Sequence, residues 1–356
     1  MKKSKVLRIL CFFLIVIVLY GFLSEFLAVT SEGDTMHING FYLEPENSLD
    51  VVLVGPSELY TGFSSPLAWK DYGFTSYALT FSGVSVSLYK SMVTEALKRQ
   101  DPKLIVFEIN GIIQDDEYMD KDSKKRIWLD NIPWSQNKID TIKSRVPKEL
   151  QYSYYIKMSK YHSNWQYPFK CLSTLIGKQR MKNVGYSYTK SFSTKTMERD
   201  ESGLHKYSVN FTPQAEVYLR ELLQYCKDEG VENALFVRFP HTMEAENPEK
   251  LDEIKAVIQE YGYDYADFEN SFEEIDLDTR KDFYNENHMN VYGMEKFTKY
   301  FSDYLVSNYD IKTEHPDELK AQWNECVEKT DKVISDCKEK IKNGIKKHIF
   351  ETAAYK

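Results

Sequence analysis

The chain has 356 residues, of which 42% are hydrophobic and 28% are charged. This balance excludes an intrinsically disordered chain and a protein with many membrane-spanning helices, and it is typical of one large globular domain or two small ones. The 54 acidic and 46 basic side chains give a net charge of −8, whereas nucleic-acid-binding proteins usually carry a basic surface. We therefore expect no nucleic-acid partner.

Residues 1–29 have the pattern of a membrane anchor. Residues 9–23 are apolar and uncharged, and they follow four basic residues, Lys2, Lys3, Lys5 and Arg8. Counting from Val6 to Val29 gives the roughly 20 residues that a span requires. No Ala-x-Ala cleavage site and no lipobox cysteine follow, so we expect an uncleaved single-pass helix, with a cleaved signal peptide as the alternative. Either way, the basic flank stays in the cytoplasm and most of the chain is extracytoplasmic, at the cell membrane.

Strand and helix patterns alternate over residues 49–310, after a predicted linker at 30–48. Buried strands are expected at residues 50–54, 77–79, 104–109 and 233–239, and helical patterns begin at residues 84, 212, 247 and 292. Strands that alternate with helices indicate an α/β domain with a mostly parallel sheet and helices on both faces.

Two segments depart from this alternation. Residues 114–205 are polar, aromatic and irregular, with one helix expected near residues 137–144, and they are interpreted as an insertion over one end of the sheet. Residues 311–356 form a helical tail with apolar residues at roughly heptad spacing. The tail either packs back on the domain or pairs with a partner or its own copy, and the pattern leaves both open.

A serine and a histidine at the expected carboxyl end of the sheet are candidates for chemistry. Ser57 follows the first strand in VVLVGPSELY, although Gly-Pro-Ser is also an ordinary turn. His288 lies in DFYNENHMNVYGMEKF, among Asp282, Asn285 and other polar residues. A serine hydroxyl becomes a nucleophile when a neighbouring base takes its proton, and histidine is suited to this because its pKa is near neutral.

The order of these residues resembles the SGNH, or GDSL, hydrolase superfamily over about residues 50–306. The resemblance is carried by Ser57 in GPSE, Gly83 in FSGVS, Asn110 in EINGI and His288 in NENH. It implies a three-layer, flavodoxin-like fold, with Ser57 as the nucleophile and His288 as the base. It also implies an oxyanion hole formed by the Ser57 N–H, the Gly83 N–H and the Asn110 side chain, with no metal and no organic cofactor.

Two positions differ from the family pattern. The first motif keeps only its glycine and serine, since Gly-Asp-Ser-Leu is replaced by GPSE. The aspartate three residues before the family's histidine is Asn285 here, which can orient the imidazole but cannot stabilise an imidazolium with a charge. Asp282 or Glu286 could take this place if the loop folds back.

With its N-terminal anchor, the chain is similar to exported envelope members of the superfamily, including DltD-like proteins and the alginate-acetylation group. The resemblance implies an acyl-ester hydrolase or O-acyltransferase that acts on a cell-envelope polysaccharide or teichoic acid, beside a multi-pass membrane acyltransferase as partner. Two alternatives stay open. One is a catalytically degenerate relative that binds a glycan or the acyltransferase, and the other is a scaffold that acts through the C-terminal helix.

Further side chains are expected near the cleft. Arg238 lies near the end of the strand at 233–239 and His241 just after it, so both could face the cleft, and a contact with an anionic substrate is a hypothesis. Glu58 and Tyr60 either line the site or lie on the surface, and the sequence does not separate these two placements.

Overall fold

The computed structural model describes residues 2–29, 32–184, 198 and 205–344. The predicted insertion at 114–205 and the predicted tail at 311–356 therefore lie partly outside the described residues.

The described residues form an α/β domain around a parallel five-stranded sheet. The strands are β1 (Val51–Gly55), β2 (Ser76–Thr80), β3 (Leu104–Glu108), β4 (His205–Tyr207), β5 (Ala234–Arg238), β6 (Met243–Ala245) and β7 (Asp264–Asp267). The main sheet has the order β2-β1-β3-β5-β7, with every neighbouring pair parallel. A separate parallel pair joins β4 to β6.

Helices connect these strands and cover the sheet. They are α1 (Lys2–Leu27), α2 (Glu32–Phe41), α3 (Ser57–Gly62), α4 (Ser65–Tyr72), α5 (Val86–Leu97), α6 (Asp116–Met119), α7 (Asp122–Leu129), α8 (Gln136–Arg145), α9 (Lys148–Tyr155), α10 (Met158–Tyr161), α11 (Pro168–Val184), α12 (Pro213–Asp228), α13 (Glu249–Glu260), α14 (Phe272–Ile275), α15 (Val291–Asn308) and α16 (Asp317–Lys342). Short 3-10 helices span Ile109–Gly111 and His162–Gln166.

Alternate residues of each central strand enter two different cores. On β1, Val52 and Val54 pack in a core with α5 and α12, whereas Val51 and Leu53 pack in a core with α15. The two cores arise because successive side chains of a strand point to opposite faces of the sheet. Helices therefore cover both faces, which explains why β1, β3 and β5 are continuous apolar runs with every residue buried.

The prediction of an α/β domain with a mostly parallel sheet is confirmed, but three segments differ from expectation. The predicted linker contains α2, whose Ile38 and Phe41 are fully buried in the first core. The predicted insertion is mostly helical, with α6 to α11 in its described part. Strand β7 escaped prediction because its sequence, DYAD, is short, polar and only partly buried at the edge of the sheet.

The N-terminal helix is mostly exposed and ends on the domain. Within α1, Lys5–Leu27 is long and apolar enough to cross a membrane. The side chains from residue 6 to residue 23 are exposed, whereas Leu27 and Ala28 are buried against the domain. This arrangement agrees with a single-pass anchor whose end is held by the folded part of the chain.

The C-terminal helix α16 packs back on the domain, against α4 and α15. Its apolar stripe is buried, and the fully buried Trp323 lies 5.9 Å from the ring of Trp69 on α4. Lys70 pairs with Asp331 at 2.8 Å beside this contact. The apolar face that could have paired with another protein is thus covered within the described chain.

Candidate active site

The strand order places the candidate residues at a crevice in the sheet. Strand β1 lies between β2 and β3. The next strand in the chain, β2, is added on one side of β1, and β3, β5 and β7 are added in turn on the other side. In parallel α/β sheets, ligands bind outside the carboxyl ends of the strands where the strand order reverses. Ser57 follows β1, Gly83 follows β2 and Asn110 follows β3, so all three lie at this edge.

A tight turn presents Ser57 at the start of α3. A Cβ on Gly55 would lie 2.7 Å from the Cβ of Glu108, so only glycine permits this close approach of β1 and β3. The Thr80 hydroxyl donates to the Gly55 and Pro56 carbonyl oxygens at 2.5 and 2.8 Å, and so fixes the turn from β2.

His288 lies in a loop that the start of α15 holds in place. Asn290 caps α15 with its side-chain oxygen, and its backbone N–H donates to the Asp282 carbonyl oxygen at 2.9 Å. A Cβ on Gly293 would lie 2.3 Å from that same carbonyl oxygen, so glycine is needed here for the loop to pack against the helix. Tyr284 N–H donates to the His288 carbonyl oxygen at 3.1 Å and closes the loop.

The structure brings Ser57, His288 and Asn285 into one hydrogen-bonded chain. Ser57 Oγ lies 2.7 Å from His288 Nε2, and His288 Nδ1 lies 2.8 Å from Asn285 Oδ1. The Asn287 backbone N–H also donates to Asn285 Oδ1, at 3.0 Å, which identifies this atom as the amide oxygen. Because an amide oxygen only accepts, Nδ1 must carry the imidazole proton, and Nε2 is left free to accept the proton of Ser57.

Asp282, one of the two acidic alternatives for the third position, is bonded to other groups. The Asp282 carboxylate accepts from Lys296 Nζ at 2.9 Å and from the Asp278 N–H at 2.7 Å, so it fixes the base of the loop instead. The Glu286 carboxylate pairs with His205 at 3.2 Å. The prediction that Asp282 substitutes for the missing aspartate is therefore wrong, because the loop turns its side chain toward α15.

Gly83 and Asn110 lie on either side of Ser57, after the two strands that flank β1. Gly83 has a φ of +68°, and a Cβ there would lie 2.0 Å from the Tyr118 hydroxyl, so this turn requires glycine. The Asn110 side chain points its Nδ2 toward Glu58, 3.4 Å from Oε1. Their roles in an oxyanion hole stay predictions.

Glu58 lies between the serine and the asparagine. Its Oε2 is 3.3 Å from Ser57 Oγ, while its Oε1 faces the Asn110 amide. Burial raises the pKa of the Glu58 carboxyl above its ordinary value. Glu108 is fully buried next to Glu58. Its burial and, second, the charge of Glu58 raise the pKa of Glu108 well above its ordinary value. A neutral Glu58 is compatible with negative charge developing beside Ser57, whereas an ionised Glu58 opposes it.

Aromatic side chains from distant segments form the walls of the crevice. His37 on α2 stacks on Tyr60 with ring centroids 4.7 Å apart, and Tyr284 stacks on His288 at 5.4 Å. Burial lowers the pKa of His37 to about 4, so this imidazole is neutral near pH 7. Sequence reasoning missed His37 because it falls in the predicted linker, where two glycines obscure the helical pattern of α2.

Arg238 ends β5 and His241 follows it, and both lie in a buried cluster of charged groups. Arg238 is fully buried and pairs with Glu269, and its Nη2 donates to His241 Nε2 at 3.1 Å. Burial and then the Arg238 charge lower the pKa of His241 to about 3, and burial raises the pKa of Glu269 to about 7. The guanidinium has a carboxylate partner in Glu269, and its contact with an anionic substrate stays a prediction.

Within the described residues, no group of three His, Cys, Asp or Glu side chains is arranged to hold a metal ion. Comparison of the chain with protein families, with curated proteins and with solved structures finds no match. What the crevice can do is therefore argued from its own geometry.

Proposed function

We propose that this chain is a membrane-anchored, extracytoplasmic serine acyl-ester hydrolase or O-acyltransferase of the SGNH type, acting on a cell-envelope polysaccharide or teichoic acid. The observation that carries the proposal is the 2.7 Å contact between Ser57 Oγ and His288 Nε2, with Nδ1 held by Asn285. These residues are 231 positions apart in the chain, and an arrangement of nucleophile, base and orienting group is what acyl transfer requires.

The topology of the sheet supports the same proposal. If the five strands of the main sheet are numbered in chain order, their order is 2-1-3-4-5, which is that of flavodoxin-like folds. Ser57 follows the first strand at the point where the strand order reverses, and the imidazole reaches it from the loop before α15. This is the placement that the SGNH resemblance implies, and the three-layer fold of that superfamily is part of the proposal.

The mechanism follows from the hydrogen-bonded chain. His288 Nε2 takes the proton as Ser57 Oγ attacks the ester carbonyl, and the tetrahedral oxyanion accepts hydrogen bonds from the Ser57 N–H, the Gly83 N–H and the Asn110 amide. Collapse expels the alcohol, which receives the proton from the imidazolium, and leaves an acyl group on Ser57. In the second half, His288 removes a proton from water or from a sugar hydroxyl, whose oxygen attacks the acyl-enzyme. The bond between the acyl carbon and Ser57 Oγ then breaks, and the imidazolium returns the proton to Ser57 Oγ.

The acceptor in that second half distinguishes a hydrolase from a transferase. A transferase for envelope polymers needs an acyl donor on the same side of the membrane, which is why a multi-pass acyltransferase is the proposed partner. The anchor α1 would keep both proteins in one membrane.

Covalent labelling of the full chain in detergent micelles tests the nucleophile. A fluorophosphonate loses fluoride when a serine oxygen attacks its phosphorus, and intact mass reports one adduct per chain. We expect a single adduct between about pH 6 and pH 9, where a neutral imidazole can act as base. The adduct should be absent in Ser57→Ala and retained in Ser144→Ala, which changes an exposed serine on α8. No adduct on the wild-type chain would refute the proposal.

Two observations favour a second candidate, a binding protein without catalysis. Asn285 brings no charge to the imidazole, and the Glu58 carboxyl faces the Asn110 amide that would otherwise bind an oxyanion. Such a protein would hold a glycan or an acyltransferase in the crevice. If no adduct forms, retention of the glycan by both the wild-type chain and Ser57→Ala would support this second function.

A further inference from the structure

The end of the anchor helix is attached to one region of the domain, formed by residues 134–176. Lys157 Nζ lies 3.1 Å from Glu25 Oε1, and Asn164 Nδ2 donates to the Leu27 carbonyl oxygen at 2.9 Å. Helices α10 and α11 also contact α1. The surface around these contacts therefore begins where the apolar stretch of α1 ends.

That surface exposes large apolar side chains in a way that the rest of the domain does not. Phe169 is 86% exposed and Trp165 is 68% exposed. Apart from α1 and residues 134–176, Val217 is the only strongly exposed large apolar residue in the described part of the chain. A concentrated exposed apolar surface indicates an interaction site, because scattered single residues are the norm elsewhere.

The chemistry of this surface matches a lipid headgroup region. Trp134 and Tyr155 stack with centroids 6.1 Å apart and are both exposed, and Lys138 Nζ lies 4.5 Å above the Trp134 ring. Exposed Lys170 and Lys160, of which Lys160 also pairs with Asp122 at 3.1 Å, carry positive charge within residues 134–176. Trp and Tyr are enriched where hydrocarbon meets water, and lysines near a membrane surface attract anionic lipids.

We propose that Trp134, Tyr155, Ile156, Trp165, Tyr167 and Phe169, here called the aromatic platform, lie in the headgroup region of the bilayer that α1 crosses. The occupant of this surface is the lipid of the leaflet on the domain side. Its position at the end of α1 favours lipid over a second protein, because a helix that crosses the membrane brings these side chains to the bilayer surface without further chain movement. The proposal rests on α1 crossing a membrane and does not depend on the chemistry at Ser57.

The platform has a consequence for the placement of the crevice. Only nine residues lie between the end of α1 at Leu27 and His37, and these ten steps of the chain span at most about 35 Å even when fully extended. His37 stacks on Tyr60, and α2 packs against α11, so α2 is fixed to the domain. The crevice with Ser57 is thus held at a fixed, short distance from the bilayer.

Quenching by brominated lipids tests the platform in the full chain. The chain is reconstituted into nanodiscs of phosphatidylcholine and phosphatidylglycerol, with and without bromine on the acyl chains near the headgroup. The fluorescence comes from the five tryptophans of the chain, and of these Trp128 and Trp323 are fully buried in the domain. We expect bromine to quench the wild-type fluorescence, and this quenching to fall by about half or more in a Trp134→Phe, Trp165→Phe double variant, since these two rings would lie at the interface. The matched control Trp69→Phe should keep the quenching.

Each other result would overturn the proposal. Equal fluorescence in brominated and plain nanodiscs would place the platform in water, or against a protein partner. Quenching that persists in the double variant would assign the lipid contact to another part of the domain. A chain that does not co-purify with the nanodiscs would remove the premise that α1 is inserted. A thermal melt of the double variant verifies that the exposed substitutions leave the fold intact.

Discussion

Replacing Asn285 by aspartate puts a negative charge 2.8 Å from the imidazole nitrogen that carries the proton. In a serine protease, the change from Asp to Asn lowers turnover by about 10⁴, and part of that loss arises because the wrong tautomer is held. Here the Asn287 N–H fixes the Asn285 oxygen toward Nδ1, so the tautomer is already the productive one. The variant Asn285→Asp therefore gains only from its charge.

The size of that gain follows from the distance and the solvent. Unit charges about 4 Å apart attract by about 4 kcal/mol at an effective dielectric constant near 20, and by about 1 kcal/mol in water. Asn285 is exposed, so the lower half of this range applies. Stabilisation of the imidazolium by about 1 to 2.5 kcal/mol corresponds to a rate increase of about 5- to 70-fold.

The assay is the rate of Ser57 adduct formation with a fluorophosphonate, together with the initial rate on a small chromogenic acetate ester. Asn270→Asp is the matched control, because it adds the same charge at an exposed asparagine after β7. The reasoning predicts faster rates for Asn285→Asp and unchanged rates for Asn270→Asp. Equal rates for wild type and Asn285→Asp, with labelling intact in both, would show that Asn285 does not act on the base.

Three further predictions concern groups near the site and in the fold. In the wild-type chain, ionisation of Glu58 above its raised pKa should lower the esterase rate on the alkaline side of the pH profile. The variant Glu58→Gln stays neutral, so this fall in rate should be absent from its profile. Identical pH profiles of the two proteins would contradict this prediction. Burial lowers the pKa of His37 from 6.5 to about 4, so the unfolded chain binds a proton first and stability should fall as pH drops from about 6.5 to about 4, by roughly 3 kcal/mol at most. Melting midpoints measured across this window should depend less on pH in His37→Phe, and an unchanged slope argues against a buried neutral imidazole. Trp323→Ala should cost about 3 to 5 kcal/mol of unfolding free energy because it empties a fully buried site between α16 and α4, whereas Trp134→Ala at an exposed position should change stability little; equal melting shifts would mean that α16 is not part of the core.

Local patterns predicted the regular parts of the fold well. The runs DVVLV, LIVFEI and NALFVRF became β1, β3 and β5, because strands buried on both faces must be continuously apolar. Thr212 is the N-cap of α12 and Pro213 is its first residue, as the sequence predicted. The Thr212 hydroxyl accepts a hydrogen bond from the Ala215 N–H. Among the elements that were missed, α2 and β7 have glycine-containing or polar sequences, and contacts with neighbouring elements stabilise them.

The candidate pair was also within reach of sequence reasoning, because Ser57 follows a buried strand and His288 precedes a helix cap. Their catalytic roles stay predictions, as does the family resemblance that suggested them. The residue that orients the imidazole could not be predicted from the sequence. Asn285, Asp282 and Glu286 all lie within a few residues of His288, and the direction that the loop gives each side chain decides which one contacts the ring. The bridge between Phe283 and Met289 and the contact of Asn290 with Asp282 decide that direction.

The sequence by itself determined the apolar N-terminal helix, the alternation of strands and helices and the residues that end the central strands, since each depends on neighbours within a few positions. Only the tertiary structure decided which side chains meet. Ser57 and His288 come together across 231 positions, Glu58 lies between the serine and Asn110, and Trp134 stacks on Tyr155. Such contacts depend on the packing of whole elements against one sheet, and no local pattern encodes that packing.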